Sequence, residues 1–220
     1  MNKKLSNIDK RNKIETCGVE YSPDDNYLII GDWNGNIYLF DKHTSIVKIL
    51  LRFDDSMVES IIKNNETYYF LICPKADKTT GKIGKNIKII EWKYPFDKYK
   101  PIEFNFQINS STILRYKQGV FIINDHFNKE VLFYDQNKKI KHRINYKGVL
   151  KDMSISNTLE YFALIFDDTI QIYNLNKYSL IKEENLKYAC FVDFTLRDEY
   201  ILIGSWNIGL VIKVLDFISI

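Results

Sequence analysis

The side chains able to do chemistry here are few and dispersed. The chain carries three histidines, three cysteines and the adjacent aspartate pairs Asp24-Asp25, Asp54-Asp55 and Asp167-Asp168. General acid–base work needs two carboxylates aimed at one reacting atom. Neighbours on a strand or hairpin point to opposite faces. The pairs are therefore poor dyads, and turn formation accounts for them, Asp167-Asp168 above all. His43, His126 and His142 fall on separate stretches. No His or Cys stands at zinc-ligand spacing, so no metal is expected. Gly81-Lys82-Ile83-Gly84-Lys85 lacks the spacing of a phosphate loop, and an apolar strand follows it where a helix N-terminus is needed. The expectation is a protein that is not an enzyme, with no catalytic residue and no cofactor.

Binding chemistry remains. The stretch Pro74 to Lys85 is a basic, Gly-containing loop in which Lys75, Lys78, Lys82 and Lys85 project charge. It suits an acidic partner or phosphate; the plainer alternative is a solvated loop. A second group consists of Trp33, Phe127, Phe166 and Trp206, each placed just before a tight turn. Large aromatics, Trp foremost, are enriched at interface hot spots. Asp32, His126, Asn34, Asn128 and Asn207 would give them a polar rim; the alternative is that the rings pack between sheets. Of the thiols, Cys17 and Cys190 read as small buried residues, and Cys73, before Pro74, as the exposed one.

These residues need elements to hold them. The stretch Tyr21 to Asp41 sets the pattern. Ser22 to Asn26 is a cluster of turn formers. Tyr27 to Ile30 is a short apolar run bounded by turn signals, as expected of a buried strand. Asn34-Gly35 is a hairpin signal, because both residues tolerate positive φ. Ile37, Leu39 and Asp41 alternate with Tyr38 and Phe40, the period of a strand.

The pattern returns. GDWNGNIYLF from Gly31 matches GSWNIGLVIK from Gly204. In that register Cys17 falls on Cys190 and Tyr27 on Tyr200. Asp41, Glu91, Asp135 and Asn174 would close successive inner hairpins at intervals of about 40 to 50 residues, which bracket a four-stranded blade. Units are expected over about 17–53, 58–106, 110–146, 149–182 and from 188, the last ending in an outer strand over Asp216 to Ile220. No helix is expected.

A polar turn, an apolar strand, a Gly/Asp turn and a strand ending in aromatic plus acid resemble the WD-repeat β-propellers. Here these parts are SPDD, YLII, GDWNG and IYLFD. Phe40-Asp41 stands where the family has Trp-Asp, and the chain has no Gly-His dipeptide. The resemblance implies an all-β propeller of about five four-stranded blades over 15–220, as a compact ring or as a piece of a larger propeller completed by another chain. It implies a scaffold that binds one or more proteins through one loop face.

At 220 residues one domain is expected. The 31 basic and 28 acidic residues leave a net charge of +3, which points to neither nucleic acid nor membrane. Only five of the basic residues are arginine, few for bidentate contacts to bases. An RNA-associated subunit is the alternative, because exposed Tyr and Phe rings can stack on bases. A binder that covers the active site of an enzyme or toxin is another. Residues 1–14 are polar, either an arm or a ring-closing strand, and not a signal peptide. No run is long enough for a membrane helix, and unpaired cysteines suit a cytoplasmic setting.

Overall fold

The computed structural model describes residues 16–75, 88–102, 112–205 and 208–219. The chain divides into two compact units, Met1–Ser110 and Ser111–Ile220. In the first, β1 (Thr16–Tyr21), β2 (Tyr27–Asp32), β3 (Asn36–Asp41) and β4 (Val47–Arg52) form one antiparallel sheet. There β5 (Ser56–Asn64), β6 (Thr67–Pro74), β7 (Lys88–Lys93) and β8 (Tyr99–Ile102) form another. In the second unit, β9 (Leu114–Lys117), β10 (Val120–Asp125), β11 (Glu130–Tyr134) and β12 (Ile140–Asn145) make a sheet. So do β13 (Leu150–Ile155), β14 (Tyr161–Phe166), β15 (Thr169–Asn174) and β16 (Ser179–Asn185). Last come β17 (Ala189–Phe194), β18 (Tyr200–Ser205) and β19 (Gly209–Lys213), a three-stranded sheet followed by the short helix α1 (Val214–Ile218). Each sheet is an up-and-down meander, and the architecture is all-β and repetitive.

The repeat is carried by recurring turn chemistry. Between the first two strands a hydroxyl accepts the backbone N–H five residues on. Ser22 Oγ takes Tyr27 N at 2.9 Å, Ser156 Oγ takes Tyr161 N at 2.9 Å, and Thr195 Oγ1 takes Tyr200 N at 3.1 Å. The sequences SPDDNY, SNTLEY and TLRDEY are thus one motif, and each has a left-handed residue: Asp25, Leu159 and Asp198, at φ 58°, 59° and 57°. After the third strand a short side chain caps the turn. Asp41 Oδ1 accepts from His43 N and Thr44 N, Asp135 Oδ1 from Asn137 N and Lys139 N, and Asn174 Oδ1 from Lys177 N. These are self-bonding turns that Asp and Asn favour. Glu91 does not belong with them; it lies inside β7, opposite Tyr69 and Lys100.

Both faces of a sheet are used. In the first unit Ile29, Gly31 and Ile37 turn toward Val58, Tyr68, Phe70 and Ile90. A Cβ at Gly31 would lie 2.8 Å from Val58 Cβ, so glycine lets the two sheets approach. In the second unit Phe162, Leu164 and Phe166 pack on Ile122, Val131 and Phe133, while Ala163, Ile165 and Ile170 pack on Val192, Ile201 and Ile203. A strand buried on both faces reads as a continuous apolar run rather than an alternating one, which is the pattern of YFALIF in β14.

Two expectations are corrected. The outer strand over Asp216 to Ile220 is instead α1, because Val214 and Phe217, three residues apart and so on one helical face, are both buried. The thiols are reversed: Cys73 is buried, whereas Cys17 and Cys190 are partly exposed. Cys17 and Cys190 each stand where the register of the first strand shifts, and a bulge re-aims the side chain it carries. Burial in β6 pushes the Cys73 thiol up to about 12.

Candidate interaction turns

In the first unit the turn between β2 and β3 holds Trp33 at its tip, 47% exposed. Asp32, by contrast, is 1% exposed and cannot form a rim. Its Oδ1 accepts from Asn34 N and Asn36 N, both at 2.8 Å, and its Oδ2 from Asn36 Nδ2 at 2.9 Å and Tyr38 Oη at 2.7 Å. Burial and this carboxylate raise the Tyr38 phenol to about 12. Four donors on one buried acceptor leave the turn little freedom, and hydrogen bonds to a charged group are the strong ones. Gly35 completes it at φ 78° and accepts from Phe53 N. The aromatic is therefore presented on a rigid base.

The basic stretch begins beside this turn. Lys75 Nζ donates to Asn34 Oδ1 at 3.1 Å, and Lys75 N to Asp55 O at 2.9 Å. Two features that sequence reading kept apart thus meet at one end of the first unit. Arg52 and Asp54 pair there at 3.2 Å, both exposed, so the surface around Trp33 carries mixed charge. Lys78, Lys82 and Lys85 lie outside the described residues.

In the second unit the turn between β10 and β11 repeats the device. Asp125, 4% exposed, accepts Phe127 N at 3.0 Å and Asn128 N at 3.1 Å on Oδ1, and Asn128 Nδ2 at 2.7 Å on Oδ2. Phe127 is 60% exposed, and the half-buried His126 ring lies edge-on to it, centroids 6.5 Å apart. Trp206 and Asn207 lie outside the described residues.

Phe166 is not presented to solvent as the sequence suggests. It is 5% exposed and packs against Tyr146, with ring centroids 5.7 Å apart. The cause is turn length. Phe166 pairs with Leu150 as Asp32 pairs with Thr16 and Ser205 with Ala189, so it stands in the register of Asp32, one residue before Trp33. Only Asp167 and Asp168 separate β14 from β15, which leaves no place for an exposed ring.

Sequence reading missed a polar tie through the second unit. Asp152 is 7% exposed. Its carboxylate accepts from Arg115 Nη2 of β9, from Met153 N of β13 and from Val192 N of β17. Arg115 Nε also donates to Met153 O at 2.8 Å. Burial raises the Asp152 carboxyl above its ordinary value, against the pull of Arg115. The available signal was an acid in the first strand of one sheet, with one of the five arginines in the first strand of the preceding sheet. These partners belong to β9, β13 and β17, so the group ties three sheets together. Among the described residues no group of three or more His, Cys, Asp or Glu could hold a metal ion, and no helix is long and apolar enough to cross a membrane.

No family model matches the chain, and no curated protein matches it either. Among solved structures, 1400 chains match. One, described as "KlHsv2 with loop 6CD replaced by a Gly-Ser linker", is similar with a TM-score of 0.55 at 11% identity, over 93% of this chain and 79% of that one. At that identity the likeness is one of fold alone.

Proposed function

We propose that the chain is a WD-repeat-like β-propeller, a ring of about five blades or a piece of a larger one, acting as a non-catalytic scaffold that binds proteins through its inter-strand turns. The observation that carries this reading is the presentation of Trp33. A large ring stands half-exposed on a turn clamped by a buried carboxylate, so little conformational freedom is lost when a partner covers it. Phe127 stands on Asp125 in the same way. The recurring four-stranded meanders and their shared turn chemistry support the propeller reading, and the mixed-sign surface around Trp33 supports a protein partner over RNA. The cytoplasm suits a chain with three cysteines, an odd number.

The test compares intact protein with Trp33→Ala and Phe127→Ala, singly and together, in affinity capture from the native cell. Circular dichroism and the melting temperature establish that each variant is folded. A partner held by hot-spot aromatics is lost from the folded double variant, because such residues each contribute about 2 kcal/mol or more. Undiminished recovery of the same partner would sink the assignment of these turns.

A further inference from the structure

Where β13 turns into β14 and β17 into β18, the second unit holds an open cavity of about 520 Å³. That size falls within the range of small-ligand sites. Thr158 and Glu160 wall it from the first turn, Arg197 and Glu199 from the second, and Lys213 and Val214 from the end of β19 and the start of α1. Asp198 fastens the two turns together, because its carboxylate accepts Asn157 N and Thr158 N at 2.7 Å each. The walls are therefore fixed before any ligand arrives.

The first unit shows why the gap is open. Glu66, Glu160 and Glu199 hold one register position, since each carbonyl accepts the N–H that follows the third strand, from Tyr94, Leu175 and Val214 respectively. Val214 thus stands where Tyr94 stands. The Tyr94 hydroxyl crosses to Asp24, in the first turn of the preceding sheet, at 3.1 Å. Asp24 lies two residues after Ser22, as Thr158 lies two after Ser156. In the second unit the two places are held by Thr158 and Val214, and valine has neither ring nor hydroxyl to span them.

The charges on the wall are also left over. Lys93, the register counterpart of Lys213, pairs with Glu66 at 3.2 Å. Lys213 makes no such pair with Glu199. Among the described residues the side chains of Arg197, Lys213, Glu160 and Glu199 have no hydrogen bond or ion pair. Two cations and two carboxylates therefore line one cavity, each without a partner. A purely anionic ligand would meet the two glutamates, and a purely cationic one Arg197 and Lys213, and like charges brought together are costly. A ligand carrying both signs satisfies both pairs. Tyr161, Tyr200 and Leu215 add apolar surface for its body.

We propose that this cavity binds a small zwitterion, a carboxylate and an ammonium on an apolar body, as in an amino acid or at the two ends of a short peptide. Arg197 and Lys213 take the carboxylate, and Glu160 and Glu199 the ammonium. The site uses neither Trp33 nor Phe127 and stands apart from the binding proposed for them.

Isothermal titration calorimetry on the full chain tests it with four compounds: dileucine, N-acetyl-dileucine, dileucine amide and free leucine. Dileucine is expected to bind saturably, and removing either terminal charge to weaken it about tenfold or more. Free leucine distinguishes the two sources: binding as tight as that of dileucine assigns the site to amino acids, weaker binding to peptides. Arg197→Ala and Glu160→Ala alter exposed side chains, so both keep the wild-type circular dichroism. Arg197→Ala is expected to weaken dileucine and leave the amide unchanged; Glu160→Ala is expected to weaken dileucine and leave the N-acetyl form unchanged. Val214→Tyr places a ring where the first unit has one and is expected to abolish binding. Val214 is buried, so the two exposed-site variants decide the matter if that one does not fold. Absence of saturable binding by dileucine and leucine alike overturns the proposal. So does N-acetyl-dileucine or the amide binding as tightly as dileucine, and so does dileucine affinity unchanged in both Arg197→Ala and Glu160→Ala.

Discussion

At the scale of single residues, position relative to the turn separates two phenylalanines of equal chemistry. Phe166 fills the space beside Tyr146, and Phe127 faces solvent. Truncating a buried phenylalanine removes its transfer energy and leaves a cavity, so Phe166→Ala is expected to cost about 3–5 kcal/mol. Phe127→Ala is expected to stay within about 0.5 kcal/mol. Urea unfolding of both variants measures the difference, and equal effects would refute the register assigned to Phe166. Asp24 gives a pH signature. Its carboxylate accepts from Ser22 Oγ, Asn26 N and Tyr94 Oη. The Ser22 hydroxyl, first among these, draws its pKa from 3.8 to about 2. A depressed acid stabilises the fold above its unfolded value, and that contribution disappears as pH falls through the folded value. The Ser22–Tyr27 turn is therefore expected to loosen between about pH 4 and pH 2. Asp24→Asn should flatten the stability profile in that window alone. An unchanged profile would show that Asp24 is not responsible.

At the scale of elements, sheet contact depends on small residues at defined places. Gly31 admits Val58, and any side chain there meets Val58 Cβ. Gly31→Ala overpacks the junction and is expected to cost about 1–3 kcal/mol. Val58→Ala leaves a cavity. The double variant is expected to be more stable than the sum of the two losses predicts, because each change relieves the other. A thermodynamic cycle by chemical unfolding reads this directly, and strict additivity would place the two side chains out of contact. The other elements follow from composition. The outer strands carry charge or proline at the free edge: Lys48 and Arg52 in β4, Pro101 in β8, Lys141 and Arg143 in β12, Lys182 in β16. Such residues discourage edge-to-edge pairing. The last sheet lacks that fourth strand among the described residues, and β19 reads GLVIK, the composition of an interior strand.

For the whole molecule, the balance of charge is the property that separates the candidate partners. A net charge of +3 and a mixed-sign surface around Trp33 give little counterion release. A protein making 6–10 phosphate contacts loses roughly 10³–10⁵ in affinity between about 50 and 200 mM salt. Binding of an unstructured RNA oligonucleotide, followed by fluorescence anisotropy, is expected to be no tighter than about 10⁻⁴ M at physiological salt. Saturable, steeply salt-dependent binding at micromolar protein would instead favour the RNA-associated reading.

The sequence by itself determined the local vocabulary. Hydroxyl and Asp turns, short apolar runs and the hairpins of the first four units are properties of a few neighbouring residues, and those turns and strands stand where SPDDNY, NG and YLII place them. Tertiary structure decided what each exposed-looking residue does. One residue of turn length turned Phe166 inward, a strand bulge turned Cys17 and Cys190 partly outward, and the four donors around Asp32 turned an expected rim residue into a buried clamp. Periodicity cannot register such differences, because it specifies which face a side chain takes on an unbroken strand. A turn or a bulge breaks the strand, and then only the packed neighbours fix the direction. The meeting of Lys75 with Asn34 and the tie from Arg115 through Asp152 to Val192 likewise join residues about 40 positions apart, a distance at which one chain's pattern carries no information about contact.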